Sequence, residues 1–196
     1  MKIAIFADVH DNAHNLVLAF DAIKDKKIEK ILFLGDFVGA AIGKLLVSSP
    51  IPVFAIWGNN DGDRSMITKF SFEEGSNLEV GFDTYDIVDY AGRKLFLTHY
   101  PLIAKPIAKS GEFDAVFYGH NHLKAKEKVK DCLVVNPGEI GAYKTGIASY
   151  AIYDTKTNDA NIYVLENSVT TNTKEAKKRF EEIKLEWNSL KSHRME

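Results

Sequence analysis

The chain has one cysteine, no long apolar run and almost no net charge. Cys132 stands alone among 196 residues, so no internal disulfide can form, and its apolar neighbours predict a small buried side chain. No apolar stretch approaches the roughly 20 residues that span a bilayer. A net charge of −2 gives no field that would favour nucleic acid or an anionic membrane. These absences predict a soluble cytoplasmic protein with no membrane partner and no stable nucleic-acid partner.

The first half of the chain alternates between apolar runs and amphipathic segments. Residues 2–7 and 31–35 are almost continuously apolar, which is typical of strands that are buried on both faces. Between them, residues 15–24 place apolar side chains at helical spacing. A second helix is predicted at about 38–48, followed by a strand at 53–57. The pattern indicates a parallel sheet that is covered by helices.

After residue 80 short strands and turns replace this alternation. Residues 85–90 and 93–98 flank Ala91-Gly92, which predicts a hairpin. Parallel strands first and antiparallel hairpins later predict an α/β fold in which two sheets pack together with helices outside. Further strands are predicted at 114–118, 122–130, 132–136, 148–154 and 160–165.

The last residues form a separate amphipathic pattern. Asn172 with Glu175 is a helix-start signature. An apolar seam then follows at helical spacing, formed by Ala176, Phe180, Ile183, Trp187 and Leu190. The chain therefore divides into a main domain of residues 1–168 and a helical extension of residues 169–196. The seam favours a helix that docks on its own domain, and a homo-oligomer contact is the alternative.

Polar side chains of the types that bind metals follow the predicted strands. They stand where each apolar run ends, and the carboxyl ends of strands in an open α/β sheet meet at one crevice. Such a crevice would hold two divalent metal ions and indicates metal-assisted hydrolysis. The seven candidates are Asp8, His10, Asp36, Asn59, His99, His120 and His122.

Taken alone, these motifs could have structural roles that involve no metal. Asp8 and His10, two residues apart on an extended chain, would share one face and could reach one ion. Asp36 follows a glycine that permits close approach, and its two carboxylate oxygens can bridge two cations. A turn aspartate and a surface histidine would explain the Asp8–His10 motif, and a tight turn would explain residues 58–62. Ligand-type residues at five successive strand ends argue against coincidence.

The ligand set also indicates which metals fit. Imidazole, carboxylate and amide oxygens without a thiolate suit Mn²⁺, Fe, Ni²⁺ or Zn²⁺ and disfavour structural zinc. Mg²⁺ alone would need fewer imidazoles and more oxygens. The expected cofactors are two divalent ions per chain, with Mn²⁺ preferred.

The order of these motifs resembles that of the calcineurin-like metallophosphoesterases. Asp-x-His (8, 10), Gly-Asp (35, 36), Gly-Asn-x-Asp (58, 59, 61), His99 and Gly-His-x-His (119 to 122) carry the resemblance over roughly residues 1–165. Spacing and length are most similar to the small archaeal and bacterial phosphodiesterase branch. The resemblance implies a four-layer α/β sandwich of two mixed sheets flanked by helices, and a metal-bridging hydroxide as nucleophile.

The resemblance also assigns the ligands to two metals. The first metal would be held by Asp8, His10, Asp36 and His122. The second would be held by Asp36, Asn59, His99 and His120, with Asp36 as the bridge.

The sequence departs from the family pattern at two positions. In much of the superfamily a histidine that contacts phosphate or protonates the leaving group follows the metal-binding asparagine. Here Asn60 occupies that position, where it can donate a hydrogen bond to substrate but cannot act as an acid. Tyr100-Pro101 follows His99 where the small branch often has glycine and a polar residue. Tyr100 would either stack on a substrate base or narrow the entrance.

Four further residues are candidates for catalysis, substrate binding or support of the site. Asp61 could orient an imidazole or a water, or only close a turn. Arg64 could grip a phosphate oxygen, or be a solvated surface side chain. His14, at the start of the first helix, could supply the proton that Asn60 cannot. Glu139 ends another strand at the same rim, where its segment is expected to shape the backbone without direct catalysis.

The leading hypothesis is therefore a phosphodiesterase that acts on small nucleotide-like phosphodiesters. The same site would also suit a phosphomonoesterase or a dinucleoside-polyphosphate hydrolase. The third hypothesis is a non-catalytic protein-interaction scaffold, as in the retromer coat subunit that resembles this fold. It is disfavoured because a scaffold is expected to have lost metal ligands, whereas this chain has all of them.

Overall fold

The computed structural model describes residues 1–170 of the chain as two β-sheets with helices on their outer faces. In chain order the elements are β1 (Lys2–Phe6), α1 (Ala13–Ile23), β2 (Lys30–Phe33), α2 (Ala40–Val47), β3 (Val53–Ala55), α3 (Arg64–Ser71), β4 (Leu78–Val80), β5 (Tyr85–Tyr90), β6 (Arg93–Thr98), α4 (Pro101–Ser110), β7 (Ala115–Tyr118), β8 (Ala125–Val129), β9 (Cys132–Asn136), β10 (Ser149–Asp154) and β11 (Asp159–Val164). No helix in this described part is long and apolar enough to cross a membrane. The predicted helix at 172–193 lies outside the described residues.

Both sheets are mixed. The first has the order β11-β10-β1-β2-β3-β4, in which β1 to β4 are parallel and the β10–β11 hairpin is added antiparallel to β1. The second has the order β5-β6-β7-β9-β8, with a parallel centre of β6, β7 and β9 between two antiparallel edge strands. The predicted α/β sandwich of two mixed sheets is confirmed.

Three apolar layers hold the sandwich together. In β1, Ile3 and Ile5 pack into the layer between the two sheets, whereas Ala4 and Phe6 pack into the layer under the helices that cover the first sheet. The strand is buried on both faces, which explains its continuous apolar sequence. A smaller third layer lies between the second sheet and α4. The two sheets and their outer helices therefore form four layers.

The sequence patterns missed several elements. The strand β4 and the helices α3 and α4 were not predicted. The α3 segment has only eight residues and buries only Ile67, so its sequence offers few apolar positions from which to predict a helix. The α4 helix contains Pro106 in its interior and begins at Pro101, and proline in a sequence indicates a break rather than a helix. The hairpin predicted at 85–90 and 93–98 is confirmed as β5 and β6. The expectation of antiparallel pairing is wrong between β6 and β7 and between β7 and β9, which are parallel.

Candidate metal centre

The seven predicted ligands lie together in loops at the carboxyl ends of β1, β2, β3, β6 and β7. These five strands are parallel within their own sheets, so their carboxyl ends meet along one rim of the sandwich. The loops turn sharply, because the backbone at several ligand positions is left-handed. Left-handed φ angles occur at Asp8 (53°), His10 (44°), Asp36 (59°), His120 (70°) and His122 (66°).

The left-handed turns change the explanation for Asp8 and His10. The sequence argument placed both side chains on one face of an extended chain, which is wrong because neither residue is extended. The side chains nevertheless converge, with His10 Nε2 at 3.9 Å from Asp8 Oδ1. The loop after β1 therefore presents both groups by tight turning.

The first group of ligand atoms comes from β1 and from the loop after β7. The Nε2 atoms of His10 and His122 lie 3.3 Å apart, and their rings stack. Asp8 Oδ1 is 3.8 Å from His122 Nε2. Ligand atoms of these three residues all fall within 4.8 Å of one another, an arrangement that could hold one ion.

The second group of ligand atoms comes from the loops after β3, β6 and β7. Asn59 Oδ1 lies 3.0 Å from His99 Nε2 and 2.7 Å from His120 Nδ1. The two imidazole nitrogens are 3.2 Å apart. The amide oxygen and both nitrogens therefore point at one position.

The carboxylate of Asp36 lies between the two groups. Its Oδ2 atom is 3.6 Å from His10 Nε2 and also 3.6 Å from His99 Nε2. The carboxylate is almost fully buried, and Asn60 donates to it from its backbone N–H and from its side-chain amide, both at 2.8 Å. This is the placement that a bridging ligand requires.

Hydrogen bonds show which imidazole nitrogens are free to bind metal. His99 Nδ1 is 2.7 Å from the carbonyl of Leu34, which can only accept, so Nδ1 carries the proton and Nε2 presents a lone pair. His122 Nδ1 is 2.6 Å from the carboxylate of Glu139, which leaves its Nε2 free in the same way. The lone pair on His99 Nε2 faces oxygen atoms of Asn59 and Asp36. The lone pair on His122 Nε2 faces Asp8 Oδ1. Convergent acceptors of this kind fit divalent cations.

Burial affects the protonation of the site. Burial, together with the nearby carboxylate of Asp36, raises the pKa of Asp8 well above its ordinary value. Burial also lowers the pKa of His10 and of His120, and the neighbouring His99 imidazole lowers the pKa of His120 further. Burial therefore favours the neutral form of the two histidines, which is the form that binds metal, whereas it disfavours the ionised form of Asp8 that would bind a cation.

Asp61 and two glycines shape the loop that carries Asp36. The buried carboxylate of Asp61 accepts backbone N–H groups of Asp36 (3.1 Å), Val38 (2.7 Å) and Gly58 (2.6 Å). It therefore ties the loop after β2 to the loop after β3. A Cβ atom on Gly35 would overlap the backbone of Gly58, so the glycine before Asp36 does permit the close approach that its position predicted.

The other predicted residues occupy different surroundings. Arg64 donates to the carbonyls of Gly58 (2.8 Å) and Asp61 (3.3 Å), so it braces the loop after β3. Tyr100 borders the second group, with its ring centroid 5.2 Å from those of His99 and His120. His14 is exposed in the first turn of α1, and within residues 1–170 no hydrogen bond or ring contact joins it to the seven candidates.

Sequence reasoning missed two contacts. Glu139 contacts His122 directly, although its segment was expected only to shape the backbone. Tyr143 stacks on His10 with ring centroids 5.3 Å apart. The position of Glu139 after a buried strand was a signal for the first contact. No sequence pattern marked Tyr143, which lies in a loop of irregular structure.

Comparisons with known proteins agree with this geometry. The family model for the calcineurin-like phosphoesterase superfamily domain matches residues 1–158. The chain is 35% identical to a phosphodiesterase of Methanocaldococcus jannaschii over 168 residues, which cover 85% of this chain and 100% of the relative. A solved structure of a novel archaeal phosphodiesterase has 33% identity and a TM-score of 0.74, and the match covers 84% of this chain and 100% of that one.

A more distant likeness concerns the fold alone. A mutant of Vps29 from Entamoeba histolytica has 17% identity and a TM-score of 0.63, over 85% of this chain and 94% of that one. The family match and the archaeal relative are much more specific. The chain belongs to the calcineurin-like phosphoesterase superfamily, and the family match together with the phosphodiesterase relatives identifies it as a metal-dependent phosphoester hydrolase.

Proposed function

We propose that the protein is a phosphodiesterase that uses two divalent metal ions at this rim to hydrolyse small nucleotide-like phosphodiesters. The observation that supports it most is the position of Asp36, whose Oδ2 atom is 3.6 Å from an imidazole nitrogen of each ligand group. One carboxylate shared between two ligand groups is the arrangement that a pair of metals needs, because its charge lowers their mutual repulsion.

The ligand assignment in this proposal follows the two groups. The first ion would be held by Asp8, His10, Asp36 and His122, and the second by Asp36, Asn59, His99 and His120. Two bound divalent ions would acidify a water and stabilise the attacking and leaving oxygens of an in-line displacement. Donors without thiolate favour Mn²⁺, with Fe, Ni²⁺ and Zn²⁺ as the other candidates.

The side chains around the metals would select the substrate. A cavity of about 380 Å³ is lined by His10, Asp11, Val38, Asn60 and Tyr143, which is the size of a small-molecule site. Tyr143 stacks on His10, and Tyr100 borders His99. The two rings could take a nucleobase or another flat group of the diester by stacking.

The side chain of Asn60 fits a diester better than a monoester with a poor leaving group. Its amide donates to Asp36 at 2.8 Å, so it holds the bridging carboxylate in place. It cannot protonate a leaving alkoxide. Arg64 is hydrogen-bonded to backbone carbonyls, and His14 lies apart from the seven ligands, so neither replaces the missing acid. We therefore expect a substrate whose leaving group departs without being protonated.

A substrate panel with metal-stripped protein tests this proposal. Aryl phosphodiester, aryl phosphomonoester and dinucleoside polyphosphate are assayed with Mn²⁺, with Mg²⁺ and with chelator. We expect diester hydrolysis that requires Mn²⁺ or a similar ion, is low in Mg²⁺ and is lost with chelator. The Asp36→Asn variant, purified in the same way, controls for contaminating hydrolases. Hydrolysis by the metal-stripped protein, or preference for the monoester or polyphosphate, would contradict the proposal.

The remaining partner predictions come from the sequence. A small phosphoester is the expected partner, and the apolar seam at 172–193 would either dock on the main domain or join two chains. Comparing the mass in solution of the full chain and of a chain ending at residue 170 separates these two alternatives. Location in the cytoplasm stays a prediction.

A further inference from the structure

The carboxylate of Glu139 is fully buried and surrounded by donors. Its Oε2 atom lies 2.6 Å from His122 Nδ1 and accepts the backbone N–H of Tyr143 at 2.9 Å. Its Oε1 atom accepts the backbone N–H of Lys144 (3.0 Å) and both the N–H (2.6 Å) and the hydroxyl (2.7 Å) of Thr145. The group therefore joins a proposed metal ligand to the loop at 143–145.

The backbone at and directly after Glu139 is held by β10 and by the end of β1 with the loop that carries Asp8. The N–H groups of Ile140 and Gly141 donate to the carbonyls of Ala7 (3.0 Å) and Asp8 (2.9 Å). The carbonyl of Glu139 accepts the N–H of Ser149 at 2.8 Å. Because its own backbone is anchored to the loop after β1, the carboxylate stands at a defined position relative to the first ligand group.

We propose that Glu139 is a positioning residue with two effects on the site, an inference that rests on metal binding by His122 in the proposed function. It holds the proton of His122 on Nδ1, so that Nε2 is presented to the first metal. It also gathers the 143–145 loop, so that the ring of Tyr143 lies over His10 at 5.3 Å and forms a wall of the substrate cavity. Glu139 would therefore affect both the metal affinity of the first ligand group and the position of the Tyr143 ring in the substrate cavity.

A carboxylate of this length is required for both effects. All the groups around it donate, and an ionised carboxylate only accepts. Glutamine would place an NH₂ group against one of these donors, and if that NH₂ faced His122 it would favour the tautomer with the proton on Nε2. Aspartate would keep the charge but is one methylene shorter, so it could not reach His122 and Thr145 together. Outer carboxylate partners of metal-binding histidines typically affect metal affinity about 10–100-fold.

The main experiment compares Glu139→Gln and Glu139→Asp with the natural chain by calorimetric titration of Mn²⁺ into metal-free protein. We expect Glu139→Gln to weaken one of the two binding events by about 10–100-fold and to leave the other unchanged. Glu139→Asp should fall between Glu139→Gln and the natural chain. Asp114→Asn is the matched control, because Asp114 accepts a backbone N–H and pairs with Arg93 at the opposite end of β7. Unchanged affinity at both sites in Glu139→Gln would overturn the proposal.

A spectroscopic readout separates this inference from the proposed function. Nitrogen NMR of the metal-free natural chain, with the signal assigned through a His122→Asn variant, reports which ring nitrogen of His122 carries the proton. We expect Nδ1, and a shift toward Nε2 in Glu139→Gln. A natural chain in which His122 is protonated on Nε2 would overturn the inference even if neither Glu139 variant folds. Failure of the natural chain to bind metal would contradict the proposed function, whereas the tautomer would still decide whether Glu139 positions His122.

The second effect has its own measurement. Tyr143→Ala should raise KM for the diester while both metal affinities stay unchanged, because Tyr143 borders the cavity and is not a ligand. Glu139→Gln should raise KM and also lower the affinity for one metal. If Glu139→Gln lowers kcat alone, with KM and the Tyr143 ring signals as in the natural chain, the link between Glu139 and the substrate wall is wrong.

Discussion

Gly58 packs directly against the carboxylate of Asp36. A Cβ atom added to Gly58 would overlap Asp36 Oδ1 and would approach the backbone nitrogen of Asp36. The same N–H of Gly58 donates to Asp61, which also accepts the N–H of Asp36. The loop after β3 can therefore approach the Asp36 carboxylate only because residue 58 lacks a side chain.

This contact predicts that Gly58→Ala damages the metal centre. We expect loss of at least one of the two metal-binding events. Activity should fall by roughly 100-fold or more, which is the effect of removing one catalytic contact. Gly62→Ala is the matched control, since a Cβ there would meet nothing within 4 Å. Metal titration and rates for both variants check the prediction. Equal metal binding in the two variants would show that the loop can relax.

Asp36→Asn should abolish tight binding of two metals and should reduce turnover to background. A neutral amide presents one acceptor oxygen and no charge between the two ligand groups, so it bridges two cations poorly. Metal analysis after dialysis measures the number of ions per chain. Asp63→Asn, which alters an exposed carboxylate whose one hydrogen bond within residues 1–170 comes from the Ala40 N–H, should behave like the natural chain. Two retained metals with near-normal turnover in Asp36→Asn would contradict the bridging assignment.

Replacing Asn60 should change how the rate depends on the leaving group. Without an acid at this position, turnover should fall steeply as the leaving-group pKa rises, because general-acid assistance is typically worth about 10²–10⁴ in rate. Asn60→His should flatten that dependence, and Asn60→Gln serves as the neutral control. Rates for a series of aryl and alkyl esters in the three proteins give the slopes. Equal slopes would direct attention to His14 as the next residue to test.

The protonation of Asp8 predicts a pH effect on metal binding. Because burial raises the pKa of Asp8, the metal-free folded protein keeps this proton at pH values where the unfolded chain has lost it. The contribution of Asp8 to stability is therefore lost as pH rises from the ordinary value of 3.8 through the raised pKa. Metal binding must release the proton, so affinity should increase with pH through the same range.

Calorimetry in two buffers with different heats of ionisation measures the protons released on binding. At a pH between the ordinary and the raised pKa, Asp8→Asn should release about one proton fewer than the natural chain, because its amide holds no proton to lose. Asp63→Asn should release as many protons as the natural chain. Identical proton release in Asp8→Asn would show that Asp8 is already ionised in the metal-free protein.

The sequence predicted the fold class and the strand ends well, and it did so for physical reasons. Strands such as β1 are buried on both faces and therefore show a continuous apolar run. The polar residues after these runs could be named because ligand chemistry depends on residue type. The helix α4 could not be found, since Pro106 in its interior conceals a helix that is stabilised by packing on the second sheet.

The sequence by itself determined the superfamily, the seven ligand-type residues and the absence of an acid at Asn60. Only the tertiary structure decided how these residues face one another. Asp8 and His10 meet through left-handed turns and not along an extended strand. Glu139 contacts His122 across 17 positions of sequence, and Tyr143 reaches His10 from a loop without a pattern. Such contacts depend on sheet register and on backbone angles that the surrounding fold imposes, whereas residue types and apolar runs are local properties of the chain.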